Sequence, residues 1–212
     1  MIEELRANGK SSYADFDLFI RERDIQLPEI KHITEDIPFR HGSLNFTRID
    51  NEIYYENAFI SYSFDIAEYE IKDMQSVKDV VTDWLYGIYE TEIFDDYIPD
   101  FHFAGTLYKV DWTEVASQGL ITAVFRVYPF KIANEPTLQN FAVSGQSDII
   151  VNNSSSHRIT PQLTLTAPVN IKGYSLQAGT FTDSRFLLNK GENPWTVQGS
   201  TSITVSYFRE IL

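Results

Sequence analysis

Ile60, Tyr62, Phe64 and Ile66 alternate with Ser61, Ser63 and Asp65. A period of two places the apolar side chains on one face of an extended chain, which predicts a half-buried β-strand over 60–66. Downstream the period changes. Val77, Val80, Val81, Trp84, Leu85 and Ile88 recur at i, i+3, i+4, i+7, i+8 and i+11, the stripe of an amphipathic helix. Ser76 reads as its N-cap, with Asp79 three residues on as the capping-box partner. Lys78, Asp79, Asp83 and Tyr86 fall away from the stripe. Residues 102–110 and 119–128 read as two more strands, rich in aromatic and β-branched positions and joined through Glu114 to Gly119. Asp111-Trp112 is the expected place for a bend or bulge.

Beyond residue 130 the pattern is β throughout. Ile159, Pro161, Leu163 and Leu165 alternate with Thr160, Gln162, Thr164 and Thr166, and Ile203, Val205 and Tyr207 with Ser202, Thr204 and Ser206. Asn152-Asn153, Pro168, Gly173, Gly179, Gly191 and Gly199 punctuate the segment. Short strands at that spacing predict a small antiparallel β-sandwich. The expected fold class is therefore mainly β, with one α-helix in the N-terminal half. Pro129 and Pro136 bracket a stretch that cannot pair regularly at either end, which places a domain boundary between residues 1–130 and 131–212.

Charge follows the same division. Residues 1–130 hold 25 acids and 11 bases, a net of −14, while 131–212 hold 5 acids and 6 bases, a net of +1. A chain at −13 overall repels phosphate backbones, which excludes a nonspecific nucleic-acid binder. Zero cysteines exclude disulfide frameworks, thiolate zinc sites and cysteine nucleophiles. The chain begins Met-Ile-Glu-Glu-Leu-Arg, with acids where a secretory signal carries cations. Its apolar runs, such as Leu120–Phe125, are far too short to span a bilayer. Synthesis in the cytoplasm without a membrane anchor is the expectation.

Motifs of chemistry are scarce. Gly9-Lys10-Ser11 imitates the end of a phosphate-binding loop, but position 4 is Glu where that loop needs Gly, so a turn is expected. His32, His41, His102 and His157 are scattered, and none has the spacing of a helical metal pair. Glu90, Glu92, Asp95, Asp96 and Asp100 form an acidic patch where paired carboxylates could cleave a glycoside, although a solvated loop is the simpler reading. No metal site, cofactor or catalytic residue is expected. Trp84 reads as core. Trp195 and Tyr174 are candidates for stacking on a sugar ring, with core packing as the competing reading of Trp195.

The ordered series of segments in the first 130 residues resembles the distal tail protein family of long-tailed bacteriophages. It runs from Asn8-Gly-Lys-Ser-Ser-Tyr-Ala-Asp-Phe-Asp-Leu18 through Pro28-Glu-Ile-Lys and Ile37-Pro-Phe-Arg-His-Gly42 to Tyr55–Phe64. The helix around Trp84-Leu85, Tyr97–Tyr108 and Ala123–Phe130 complete it. Asp17 stands where the family often has Gly. The resemblance implies a ring-forming belt domain over 1–130 and an outer, galectin-like β-sandwich over 131–212. It also implies a hexameric ring at the virion's tail tip, joining the tail tube protein to the tail-associated hub or tail spike protein. Such a ring can carry receptor-binding proteins, is assembled in the host cytoplasm, and needs no active site. Two other readings compete: a carbohydrate-binding sandwich gripping cell-wall glycan through Trp195 or Tyr174, and a wall hydrolase using the 90–100 carboxylates.

Overall fold

The computed structural model describes residues 2–48, 52–66, 71–115 and 118–212. Two compact units emerge: residues 1–131 with Leu212, and residues 132–211. In the first lie β1 (Leu5–Ala7), β2 (Lys10–Ser11), β3 (Leu18–Ile25), β4 (Thr34–Glu35), β5 (Leu44–Asn45) and β6 (Ala58–Ile66). They are followed by α1 (Ile71–Tyr86), β7 (Thr91–Asp95), β8 (Phe101–Val115) and β9 (Gln118–Val127). The main sheet runs β3-β6-β9-β8-β7-β1-β2, each neighbouring pair antiparallel.

Strand β6 buries Ala58, Ile60, Tyr62, Phe64 and Ile66 in strict alternation, and β9 answers with Ile121, Ala123, Phe125 and Val127. Two bulges then change which side chains face inward. One extra residue, Arg21, interrupts β3 between Ile20 and Glu22. Leu18 and Ile20 therefore point into the core before the bulge, and Arg23 and Ile25 after it. The second bulge lies at Tyr108, between Leu107 and Lys109, rather than at Asp111-Trp112, which pair regularly with Thr122 and Ile121. The inward parity of β8 switches there, from Phe103 and Leu107 to Val110 and Trp112.

Among the described residues α1 is the one α-helix, and it starts earlier than its capping pattern implies. Ser76 lies inside it, and Asp79 accepts a hydrogen bond from Gln75 Nε2 (2.8 Å) one turn back. Met74 extends the stripe toward the N-terminus, so the buried face is Met74, Val81, Trp84 and Leu85, with Val77 half-buried. Val80, expected on that face, is 53% exposed, and Ile88 is buried just past the helix end. Trp84 anchors the helix: its ring stacks on Phe16 at 4.8 Å and its Nε1 donates to Ala7 O (3.0 Å). The helix ends at Gly87, where a Cβ would meet Asn8 Nδ2 at 2.9 Å and Trp84 O at 3.2 Å.

Gly9-Lys10-Ser11 belongs to a two-residue hairpin. Asn8 (φ +51°) and Gly9 (φ +72°) turn β1 directly into β2, the conformation that Asn-Gly pairs favour. After β2 the Ser11 hydroxyl accepts from the Tyr13 and Ala14 amides (3.2 and 3.0 Å), and Asp15 accepts from the Ser11 amide (2.7 Å). The turn closes at Asp17, whose φ of +53° is the left-handed region that glycine enters freely.

Residues 26–48 and 52–57 leave the main sheet as an arm. Its two legs are joined by the β4–β5 ladder and an Ile30–Tyr55 bridge, with Lys31 N to Tyr54 O and Glu56 N to Glu29 O at 2.8 Å. Leu27 and Phe39 on it are 77% and 109% exposed.

The second unit is built on β10 (Lys131–Asn153), which starts on the last residue of the first. It continues through β11 (Gln162–Leu165), β12 (Val169–Ile171), β13 (Tyr174–Leu176), β14 (Gly179–Thr182), a 3-10 turn at Ser184–Phe186, and β15 (Gly191–Ile211). The segment 191–194 is thus the start of a strand. Strand β15 pairs with β12 at Val197–Gly199 and with β11 at Ile203–Ser206, in one continuous register. On the far side β12 takes β13 and β11 takes β14. The breaks at 166–168 and around Gly199 (φ +143°) coincide, so one antiparallel sheet bends there and both halves bury the same face. Val169 and Ile171 meet Leu163 and Leu165 in a core with Trp195, Val197, Ile203, Val205 and Tyr207.

Candidate functional site

The acids of the 90–100 patch fall in different surroundings. Alternation along β7 sends Glu92 outward and Asp95 inward. The Asp95 side chain is wholly buried and accepts from Arg23 Nε (2.9 Å), the Tyr62 hydroxyl (3.0 Å) and the Tyr97 amide (3.0 Å). Arg23 reaches it only because the β3 bulge turns that side chain inward, and Glu3 holds the guanidinium's Nη2 at 2.6 Å. Burial and then the Asp95 carboxylate push the Tyr62 phenol far above its ordinary range, so it remains a donor. Burial alone would lower Arg23; the hydrogen bonds and charges of Asp95 and Glu3 more than reverse this.

The other acids of the patch lie at the surface. Asp96 pairs with Arg6 at 3.1 Å, and Glu92 lies 3.9 Å from His102 Nε2. Glu90 (φ +45°) is held by its amide bond to Thr106 Oγ1 (2.9 Å), and Asp100 ends the loop before β8. A cleft of about 580 Å³ beside β1, β2 and β7 is lined by Arg6, Asn8, Lys10, Asp15, Glu92 and Phe94. Its cations are engaged: Arg6 with Asp96 and over Phe94 (5.8 Å), Lys10 over Phe16 (5.2 Å). Among the described residues no group of three metal-ligating side chains converges. His157 Nε2 lies 3.2 Å from Glu210, and His32 and His41 are exposed on the arm.

In the second unit the two stacking candidates occupy opposite ends of an aromatic series. Trp195 is 1% exposed and packs on Phe186 at 5.6 Å, which leaves no face for a sugar. Phe186 meets Tyr174 edge-on at 6.0 Å, and Tyr174 is 42% exposed. The Arg185 guanidinium covers the Tyr174 ring at 4.6 Å and is held there by Asp183, whose carboxyl it keeps below its usual range.

The remaining unusual surface belongs to the first unit. The arm displays Leu27, Ile30, Ile33, Ile37 and Phe39, each more than a third exposed. Beside α1 a pocket of about 250 Å³ is lined by Asp15, Phe16, Asp17, Val77, Val80 and Val81. Exposed apolar side chains in number mark surfaces for interaction. Only the motif segments Pro28–Lys31 and Ile37–Gly42 marked the arm in the sequence.

No family model matches the chain, and no curated protein matches it. Solved structures do. The SPP1 Dit (gp 19.1) protein, described as a paradigm of the hub adsorption apparatus in phages infecting Gram-positive bacteria, superposes with a TM-score of 0.74 at 10% identity. The match covers 100% of both chains. Two structures of the phage p2 baseplate in its activated conformation, with strontium and with calcium, match at TM-scores of 0.46 and 0.42 and 8% identity. They cover 98% and 97% of this chain, and 98% of theirs in each case. From end to end, the chain has the fold of the SPP1 Dit protein.

Proposed function

We propose that this protein is a structural hub of a bacteriophage tail tip, in which residues 1–131 of six copies close into a ring. In this reading one face of the ring meets the tail tube and the other the tail-associated hub or spike protein. Residues 132–211 carry adhesion or baseplate proteins, and the protein has no enzymatic role. The observation that carries the reading is the full-length fold shared with SPP1 Dit, a hub protein of an adsorption apparatus. The burial of Asp95 between Arg23 and Tyr62 agrees with it, as does the absence of a free face on Trp195. A net charge of −14 over residues 1–130 suits a wall that passing DNA must not stick to.

Light scattering behind size exclusion, across a concentration series, tests the ring. The expected mass at high concentration is six times 24.4 kDa, or a multiple of that. A monomer at every concentration, together with absence of the protein from purified virions, refutes the reading. Residues 1–131 expressed alone should retain the assembly, and 132–212 alone should not.

A further inference from the structure

The arm ends in a residue that its own chain does not use. Phe39 is 109% exposed, and its backbone sits at φ +67°, a left-handed conformation that is an outlier for a bulky side chain. The turn is closed by Arg40 N to Ile37 O (3.2 Å), with Gly42 also left-handed at φ +73°. An aromatic ring held wholly in water on a strained turn gains nothing within the monomer. Strain of this kind persists where a site needs the residue so placed.

The α1 pocket has the complementary form. Phe16, Val77, Val80 and Val81 line it, and Val80 is 53% exposed although it belongs to the helix's apolar stripe. Its about 250 Å³ has room for one aromatic side chain, and Phe39 of the same chain does not fill it. The charges also match. The pocket lining carries the Asp15 and Asp17 carboxylates and no cation, with Lys10 engaged over the Phe16 ring at 5.2 Å. The arm tip, Ile37 to Leu44, carries Arg40 and no acid.

We infer that the arm tip of one copy plugs the α1 pocket of the next, with Phe39 as the anchor and Arg40 against the Asp15 and Asp17 carboxylates. The inference rests on the ring reading and names its joint. Tip and pocket are different surfaces of the same unit, so the contact is head-to-tail. A head-to-tail contact generates a ring when its rotation closes. Both parts lie within residues 1–131, so the joint needs nothing from the second unit.

The chain has no cysteine, so an engineered pair reports on this contact alone. The full-length Phe39→Cys/Val80→Cys double variant, oxidised at assembling concentration, should give a ladder of covalent oligomers on a non-reducing gel, ending at the closed ring. A mixture of the two single variants should stop at the heterodimer. Phe39→Ala alters a fully exposed side chain, so the monomer should melt as the wild type does. Its assembly should nevertheless require about thirtyfold more protein or greater, the effect of losing a buried aromatic anchor. Arg40→Glu should weaken assembly in the same direction, more strongly at low salt. If wild type forms rings while Phe39→Ala assembles equally well, or while the cysteine pair stays unlinked at a concentration where that double variant itself forms rings, the joint is elsewhere and the ring reading stands. If wild type is monomeric at every concentration, both fall.

Discussion

Replacing Asp95 with asparagine keeps the shape of the side chain and removes its charge. In the native cluster Oδ2 accepts from both Arg23 Nε (2.9 Å) and Tyr62 Oη (3.0 Å), while Oδ1 accepts from the Tyr97 amide (3.0 Å). An asparagine has one acceptor and one donor here. Whichever way the amide is turned, its NH₂ meets groups that are themselves donors. Arg23, whose side chain is only 19% exposed, would keep Glu3 as its remaining anionic partner. Breaking a buried ion pair from one side typically costs about 3–5 kcal/mol, because the surviving charge stays desolvated. Against a total stability of about 5–15 kcal/mol, this should lower the melting temperature of the first unit by roughly 10 °C. Asp96→Asn is the control. That pair with Arg6 is surface-exposed, and its loss should cost at most about 1 kcal/mol. Urea unfolding followed by tryptophan fluorescence and far-UV circular dichroism measures both. Equal midpoints for Asp95→Asn and Asp96→Asn would show that Asp95 is not the structural anchor described.

Trp84→Ala removes the stack on Phe16 and the bond to Ala7 O, and should cost about 3–5 kcal/mol in the same unfolding assay, with loss of ring assembly. Gly105→Ala puts a Cβ 2.6 Å from Arg126 O and 2.9 Å from Val127 Cα across the β8–β9 ladder. It should destabilise by about 1–3 kcal/mol, whereas Gly145→Ser, with open space around it, should show only the smaller cost of its left-handed backbone. Tyr62 has a folded pKa raised above the ordinary 10.0, so the unfolded chain loses that proton first as pH rises. The stability it contributes is complete below pH 10 and should fall above it by about 1.4 kcal/mol per pH unit. Alkaline denaturation of Tyr62→Phe should show a correspondingly shallower slope.

What the sequence determined by itself is whatever depends on neighbours a few residues apart. The alternation over 60–66 set the buried face of β6, because side chains on a strand change sides at every residue. The helix stripe was legible through Trp84 and Leu85 for the same local reason, although a Ser76/Asp79 pair inside the helix imitated a cap. The turn expected at Gly9-Lys10-Ser11 falls one residue earlier, at Asn8-Gly9, since two successive left-handed residues suit those side chains. The bulge, by contrast, was expected at Asp111-Trp112 and lies at Tyr108, where the inward parity shifts from Leu107 to Val110 and Trp112. The 90–100 acids read as a solvated loop, whereas Glu92 and Asp95 lie on strand β7 and Asp95 is buried.

Tertiary structure decided the rest, because it depends on which distant strands become neighbours. Arg23 and Tyr62 come to Asp95 from 72 and 33 residues away through a non-sequential strand order and a bulge that re-aims one side chain. No local pattern encodes that meeting. Trp195 had the same appearance in the sequence whether it stacked on a ligand or on Phe186; only the bending of one sheet over itself closed its faces. The arm was hidden for the opposite reason. Leu27 and Phe39 on it stand in water rather than in a core, so their pattern follows neither sheet nor helix, and only the fold shows that they remain outside.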